Sequence, residues 1–79
     1  MRLSELKVGE RGVIVNFEGV SNEFGRRLYD MGISLGSEVI LLSTLGFGRL
    51  FYISVNDIEF CLRETEAKKI MTERKLSGE

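Results

Sequence analysis

Residues 38–63 read EVILLSTLGFGRLFYISVNDIEFCLR, and this stretch decides the fold. Val39 and Leu41 alternate with Ile40 and Leu42. Phe51, Ile53 and Val55 then share one side of the next run, and Ile58, Phe60 and Leu62 lie opposite Glu59, Cys61 and Arg63. A period of two, carried by β-branched and aromatic residues, predicts strands at Glu38 to Thr44, Leu50 to Val55 and Ile58 to Arg63. Gly46-Phe47-Gly48 reads as the hairpin loop between the first two. Asn56-Asp57 reads as a tight turn between the second pair, because both residues tolerate left-handed backbone. The chain has no proline, so every turn falls to Gly, Asn, Asp or Ser.

Working outward toward the N-terminus, Ser21 or Asn22 caps a helix that runs to Met31. Phe24, Leu28 and Met31 recur at i, i+4 and i+7 as one apolar stripe, with Arg26 and Asp30 facing away. Gly32 follows in the left-handed position that ends helices. Ile33 re-enters the core and Gly36 makes another turn. Upstream, Arg11 to Phe17 alternates as a strand, with Val13, Val15 and Phe17 together and Gly12, Ile14 and Asn16 opposite. Leu3 to Leu6 is a short helical turn stopped by Gly9, packed on the body through Leu3, Leu6 and Val8.

Toward the C-terminus, Glu64 to Thr72 is expected to form a last short helix with Ala67, Ile70 and Met71 inward. Its acidic start, with Lys68 and Lys69 later, suits the helix dipole. The expected organisation is a single domain over residues 1–74 with a frayed tail over 75–79. The chain is thus mainly β with short helices. Four or five short strands joined by glycine turns, in a chain of 79 residues, predict a small, partly open barrel of SH3 type, with one intervening helix and a short C-terminal one.

Composition then narrows the function. Eleven Lys and Arg against twelve Asp and Glu leave a net charge of −1, without the basic excess of a protein built for a phosphate backbone. No nucleic acid partner is expected, although Arg26, Arg27 and Arg49 with Tyr29, Phe47 and Tyr52 form the set an oligonucleotide-binding barrel would use. Histidine is absent, which removes the commonest general base and the commonest transition-metal ligand. The single Cys61 cannot form an internal disulfide and points to a reducing compartment. No apolar run approaches the ~20 residues of a membrane span, and the N-terminus turns polar at once, so a cytoplasmic protein without membrane insertion is expected.

No catalytic constellation is present. Gly46-Phe47-Gly48-Arg49 lacks the spacing, the Lys and the hydroxyl of a phosphate-binding P-loop, and it joins two strands instead of opening a helix. Cys61, mid-strand between Phe60 and Leu62, has no histidine to activate it and reads as a small side chain on the less packed face. One thiolate and scattered carboxylates make no tight metal site; weak binding of ferrous or another divalent ion at surface carboxylates stays open. The metal ligands, if any, are unknown from the sequence. What remains is a binding module without catalytic or cofactor-binding residues.

The segment RRLYDMGISLG, Arg26 to Gly36, resembles the arginine-rich helix and glycine turn of the FeoA family of ferrous iron transport accessory proteins. The rest follows in family order: LSELKVGERGVIV (Leu3 to Val15), EVILL (Glu38 to Leu42), the hairpin at Gly46 to Gly48, LFYISV with IEFCLR, and ETEAKKIMTE (Glu64 to Glu73). Two positions depart: Ser34-Leu35 stands where the family's turn carries proline, and Asn56 where glycine is frequent. The resemblance implies an SH3-like barrel that docks as an adaptor on the cytoplasmic, GTPase-containing part of the iron transporter FeoB, in a family described as transition-metal binding. The same domain type closes metal-dependent repressors of the diphtheria toxin repressor kind, so a metal-responsive regulatory domain is the alternative. The absence of a helix-turn-helix segment favours the stand-alone accessory.

The expected partner surface is the outward side of the helix and the hairpin tip: Arg26, Arg27, Tyr29, Phe47 and Arg49. Arginine beside an exposed aromatic is the composition that carries binding energy at interface centres. The edge strands of an incompletely closed barrel are a second expected interface, for self-association.

Overall fold

The computed structural model describes residues 1–19 and 21–75. A 3-10 turn at Leu3–Glu5 precedes β1 (Arg11–Phe17), α1 (Asn22–Asp30), β2 (Glu38–Leu45), β3 (Leu50–Val55), β4 (Ile58–Arg63), α2 (Glu64–Ala67) and β5 (Ile70–Arg74). The strands form one antiparallel sheet in the order β4-β3-β2-β1-β5. β4 and β5 do not pair with each other, which leaves a partly open barrel of SH3 type. Its interior is one cluster drawn from every element, including Leu3, Ile14, Leu28, Leu41, Ile53, Leu62 and Ile70.

The central hairpins follow their sequence pattern. Val39 and Leu41 on β2, and Phe51, Ile53 and Val55 on β3, are buried. Asn56 and Asp57 have φ of 52° and 67°, the two left-handed residues of a type I′ turn, flanked by the pair Val55 and Ile58. α1 starts where the Ser21 hydroxyl accepts from the Phe24 amide at 3.1 Å. It ends in a Schellman motif: Ile33 N–H donates to the Leu28 carbonyl and Gly32 N–H to the Tyr29 carbonyl. Only a residue free of a Cβ penalty takes the φ of 80° at Gly32 cheaply.

Three expectations are corrected. The last helix stops at Ala67, and Ile70–Arg74 is a fifth strand paired with β1. Ile70 and Thr72 are both fully buried with Met71 half-buried between them, a period of two that overrides the helix-forming composition of the segment. On β1 the inward residues are Gly12 and Ile14, whereas Val15 is exposed. Ile14 pairs with Thr72 and Asn16 with Met71, so Val15 is an extra residue in a β-bulge. The bulge resets the phase and returns Phe17 to the core, which simple alternation cannot anticipate. Val8, expected to pack inward, is exposed, while Leu3 and Leu6 are buried as expected.

The expected frayed tail begins at Lys75, whose amide donates to the Arg11 carbonyl and whose ammonium pairs with Glu38. Residues 76–79 lie outside the described residues.

Candidate partner-binding surface

α1 is laid on the barrel by Phe24 and Leu28, both buried. That choice of face turns Arg26 and Tyr29 outward, and Tyr29 is 80% exposed. Arg27 is used differently. Its guanidinium donates to the Glu66 carboxylate at 3.0 Å and lies 5.8 Å from the Phe24 ring centroid. The same Glu66 accepts from the Arg63 amide and so caps α2. Arg27 is therefore a strut between the two helices, with its outer side still half exposed.

Behind Tyr29 lies a groove of about 340 Å³ lined by Phe17, Gly25, Leu28, Ile33, Ser34 and Leu35. Leu35 is 60% exposed on its rim. Sequence reasoning missed Leu35, although an apolar residue in a short turn between Gly32 and Gly36 is a legible sign of an uncovered side chain. Nearby, the Asn56 side chain donates to the Gly32 carbonyl at 3.1 Å, tying the end of α1 to the β3–β4 turn.

The hairpin tip is the second patch. Gly46, Phe47 and Gly48 have φ of 61°, 58° and 84°, and the Phe47 side chain is fully exposed. An L-residue in this conformation costs about 1 kcal/mol or more relative to glycine. The strain holds an aromatic in solvent, next to Arg49 and the half-exposed pair Leu45 and Leu50. The Glu64 amide donates to the Arg49 carbonyl at 2.8 Å, which seats the tip against α2.

The five residues do not form one continuous cluster. Arg27 and Arg49 both adjoin α2, through Glu66 and Glu64. Tyr29 instead sits toward the Asn56 turn, at the opposite end of β3 from Phe47. The five residue steps of β3 alone separate those ends by ~17 Å. The geometry offers two separate aromatic patches, Tyr29 on α1 and Phe47 at the hairpin tip, with Arg26 beside the first and Arg49 beside the second.

Titration is perturbed away from these anchors. Glu38 is held below the ordinary carboxylate range, chiefly by the hydrogen bond from Lys75, with the charges of Lys75 and Arg11 adding to it. Tyr52 on β3 donates its hydroxyl to the Glu59 carboxylate, and that bond raises its pKa. Among the described residues no three Cys, Asp or Glu side chains converge as metal ligands. No described helix is long and apolar enough to cross a membrane.

A family model, the FeoA domain, matches residues 1–74. A Porphyromonas gingivalis protein described as an Fe(2+) transport protein A/Fe(2+) transporter FeoB fusion is 34% identical over 73 residues; the match covers 92% of this chain and 8% of that protein. The solution structure of FeoA from Chlorobium tepidum superposes with a TM-score of 0.90 at 28% identity, over 100% of this chain and 74% of that one. The crystal structure of Stenotrophomonas maltophilia FeoA complexed with zinc, described as a prokaryotic SH3 domain protein, gives 0.77 at 28% identity, over 92% and 89% of the two chains. With its barrel order, its capped and glycine-terminated helix and this family match over nearly the whole chain, the protein belongs to the FeoA domain family.

Proposed function

We propose that the protein is a non-catalytic cytoplasmic adaptor of ferrous iron uptake that docks on the GTPase-containing cytoplasmic part of a FeoB-type transporter. One observation carries the reading: in the Porphyromonas gingivalis relative, a segment 34% identical to this chain belongs to a protein described as a FeoA–FeoB fusion. Two segments sharing a chain are held at high effective concentration, which favours even a modest mutual interface. The docking face is the outward side of α1 with the hairpin tip. Tyr29 and Phe47 are its anchors, Arg26 and Arg49 its polar contacts, and Arg27 holds α1 in place. Exposed aromatics beside arginines are the residue types that contribute most at interface centres. Divalent ions, ferrous iron included, bind weakly at surface carboxylates and not as a resident cofactor.

The test compares Arg26→Glu, Tyr29→Ala, Leu35→Ala and Phe47→Gly with the exposed control Lys7→Glu. Each should fold, and each should weaken binding to the transporter's cytoplasmic domain by roughly tenfold or more if the residue is an anchor. Phe47→Gly separates function from folding. Relieving the positive φ should raise stability by about 1 kcal/mol while binding falls. Binding and iron uptake that match the control in all four variants would remove this face from the account.

A further inference from the structure

The two edges of the sheet are treated differently, and the difference assigns an interface. Beyond β5, the Thr72 amide donates to the Met1 carbonyl at 2.6 Å, the Met1 amine donates to the Thr72 carbonyl at 2.8 Å, and Arg2 bridges Met71. That edge is covered by the chain's own N-terminus. Among the described residues β4 pairs only with β3. The Glu64 amide bonds the Arg49 carbonyl, one step beyond the Leu50–Arg63 pair. In an antiparallel ladder the direction alternates, so Leu62, Phe60 and Ile58 also turn their amides and carbonyls toward β3. Glu59, Cys61 and Arg63 turn theirs to the free edge. The Arg63 amide is taken by Glu66. The amides and carbonyls of Glu59 and Cys61 find no partner among the described residues, and both side chains are exposed.

We infer that this edge pairs with the β4 edge of a second copy of the chain, antiparallel, with Glu59 of each copy opposite Cys61 of the other. This inference is independent of the docking reading, since it uses none of its residues. Two arguments select the occupant and the register. The twofold axis then passes beside Phe60, and all four free backbone groups of each copy are bonded, in four hydrogen bonds. A register centred on Cys61 would need the Arg63 amide, which is already committed. The chosen register also sets Asp57 of one copy opposite Arg63 of the other, twice. Both side chains are exposed, and neither has an ion pair among the described residues. A shift the other way, centred on Glu59, would oppose two carboxylates. Natural edges are commonly blunted by lysine or proline, and β4 carries neither.

The interface is short and mostly polar, so a dissociation constant of about 0.1–1 mM is expected. Amide hydrogen exchange by NMR on the intact chain, from dilute to millimolar, tests it without mutation. Exchange at Glu59 and Cys61 should slow by about two- to fivefold between dilute and ~1 mM protein, as mass action dictates for that dissociation constant. The Arg63 and Leu62 amides, bonded within the chain, should be indifferent to concentration. Cys61→Pro removes one edge donor and should abolish the dependence; if it fails to fold, Arg63→Glu, which faces Asp57, should weaken association by about tenfold instead. Concentration-independent exchange at Glu59 and Cys61 overturns the inference. So does a dimer whose protected amides lie elsewhere.

Discussion

The edge at β5 and the edge at β4 belong to one sheet yet do opposite work. At β5 the strand is locked from both sides, by β1 and by Met1–Arg2, and its inward residues Ile70 and Thr72 are fully buried. Lys75 beyond it is tied to Glu38, and Arg74 to Glu10 at 2.9 Å. At β4 only the β3 side is bonded among the described residues, and Ile58 is 51% exposed. The same backbone chemistry is spent internally at one margin and offered outward at the other. The margin whose backbone bonds are closed within the chain and the margin with free backbone groups are thus separated in space.

That contrast makes graded predictions. The largest effect is expected at Ile70→Ala, which empties a fully buried site and should cost about 2–5 kcal/mol by denaturant unfolding. Ile58→Ala on the other edge should stay within roughly 0.5 kcal/mol; equal losses would erase the distinction. Next comes Gly12→Ala on β1. Its Cβ would sit 3.2 Å from the Thr72 Cβ and 3.3 Å from the Glu73 carbonyl oxygen, so β1 and β5 must part slightly. A loss of about 1–3 kcal/mol is expected, and an unchanged midpoint would show that the two strands are less tightly seated. Deleting residues 1 and 2 removes the cover of β5 and its hydrogen bonds, at about 1–3 kcal/mol. It should also create a second sticky edge, visible as increased self-association in sedimentation equilibrium.

The smallest effects are of pH, and they divide by edge. The Glu38 carboxyl beside Lys75 and Arg11 is lowered when folded, so its contribution is present above its unfolded value and is lost as pH falls through the folded one. Lys75→Ala should move the Glu38 titration upward by NMR. Tyr52, beside β4, is raised by its bond to Glu59. Its contribution is complete below its unfolded pKa and is lost as pH rises through the folded one, in the alkaline range. Tyr52→Phe should remove that alkaline component of the stability profile.

How much of this was legible depends on whether the signal is local. The three central strands, a cap at Ser21 or Asn22, the Gly32 stop and the Asn56-Asp57 turn all follow from residues adjacent in the chain, and each is found in place, with Ser21 as the cap. β5 was not read, because EAKKIM favours a helix by composition and only tertiary pairing with β1 reveals the alternation of Ile70 and Thr72. The bulge at Val15 is likewise invisible until Thr72 and Met71 stand opposite. At the surface, Arg26, Tyr29 and Phe47 are as outward as expected. Arg27 is drawn into a bond with Glu66, thirty-nine residues on, which no local pattern announces. The division of the five residues between two patches follows from the length of β3, and so needed the fold.

The most direct test of the docking account is an NMR titration of the labelled protein with the transporter's cytoplasmic GTPase domain. The account expects saturable shifts at Arg26, Tyr29, Leu35, Phe47 and Arg49, with the β1–β5 margin around Arg11, Glu38 and Arg74 unmoved. Shifts confined to that margin, or none at millimolar partner, would contradict it.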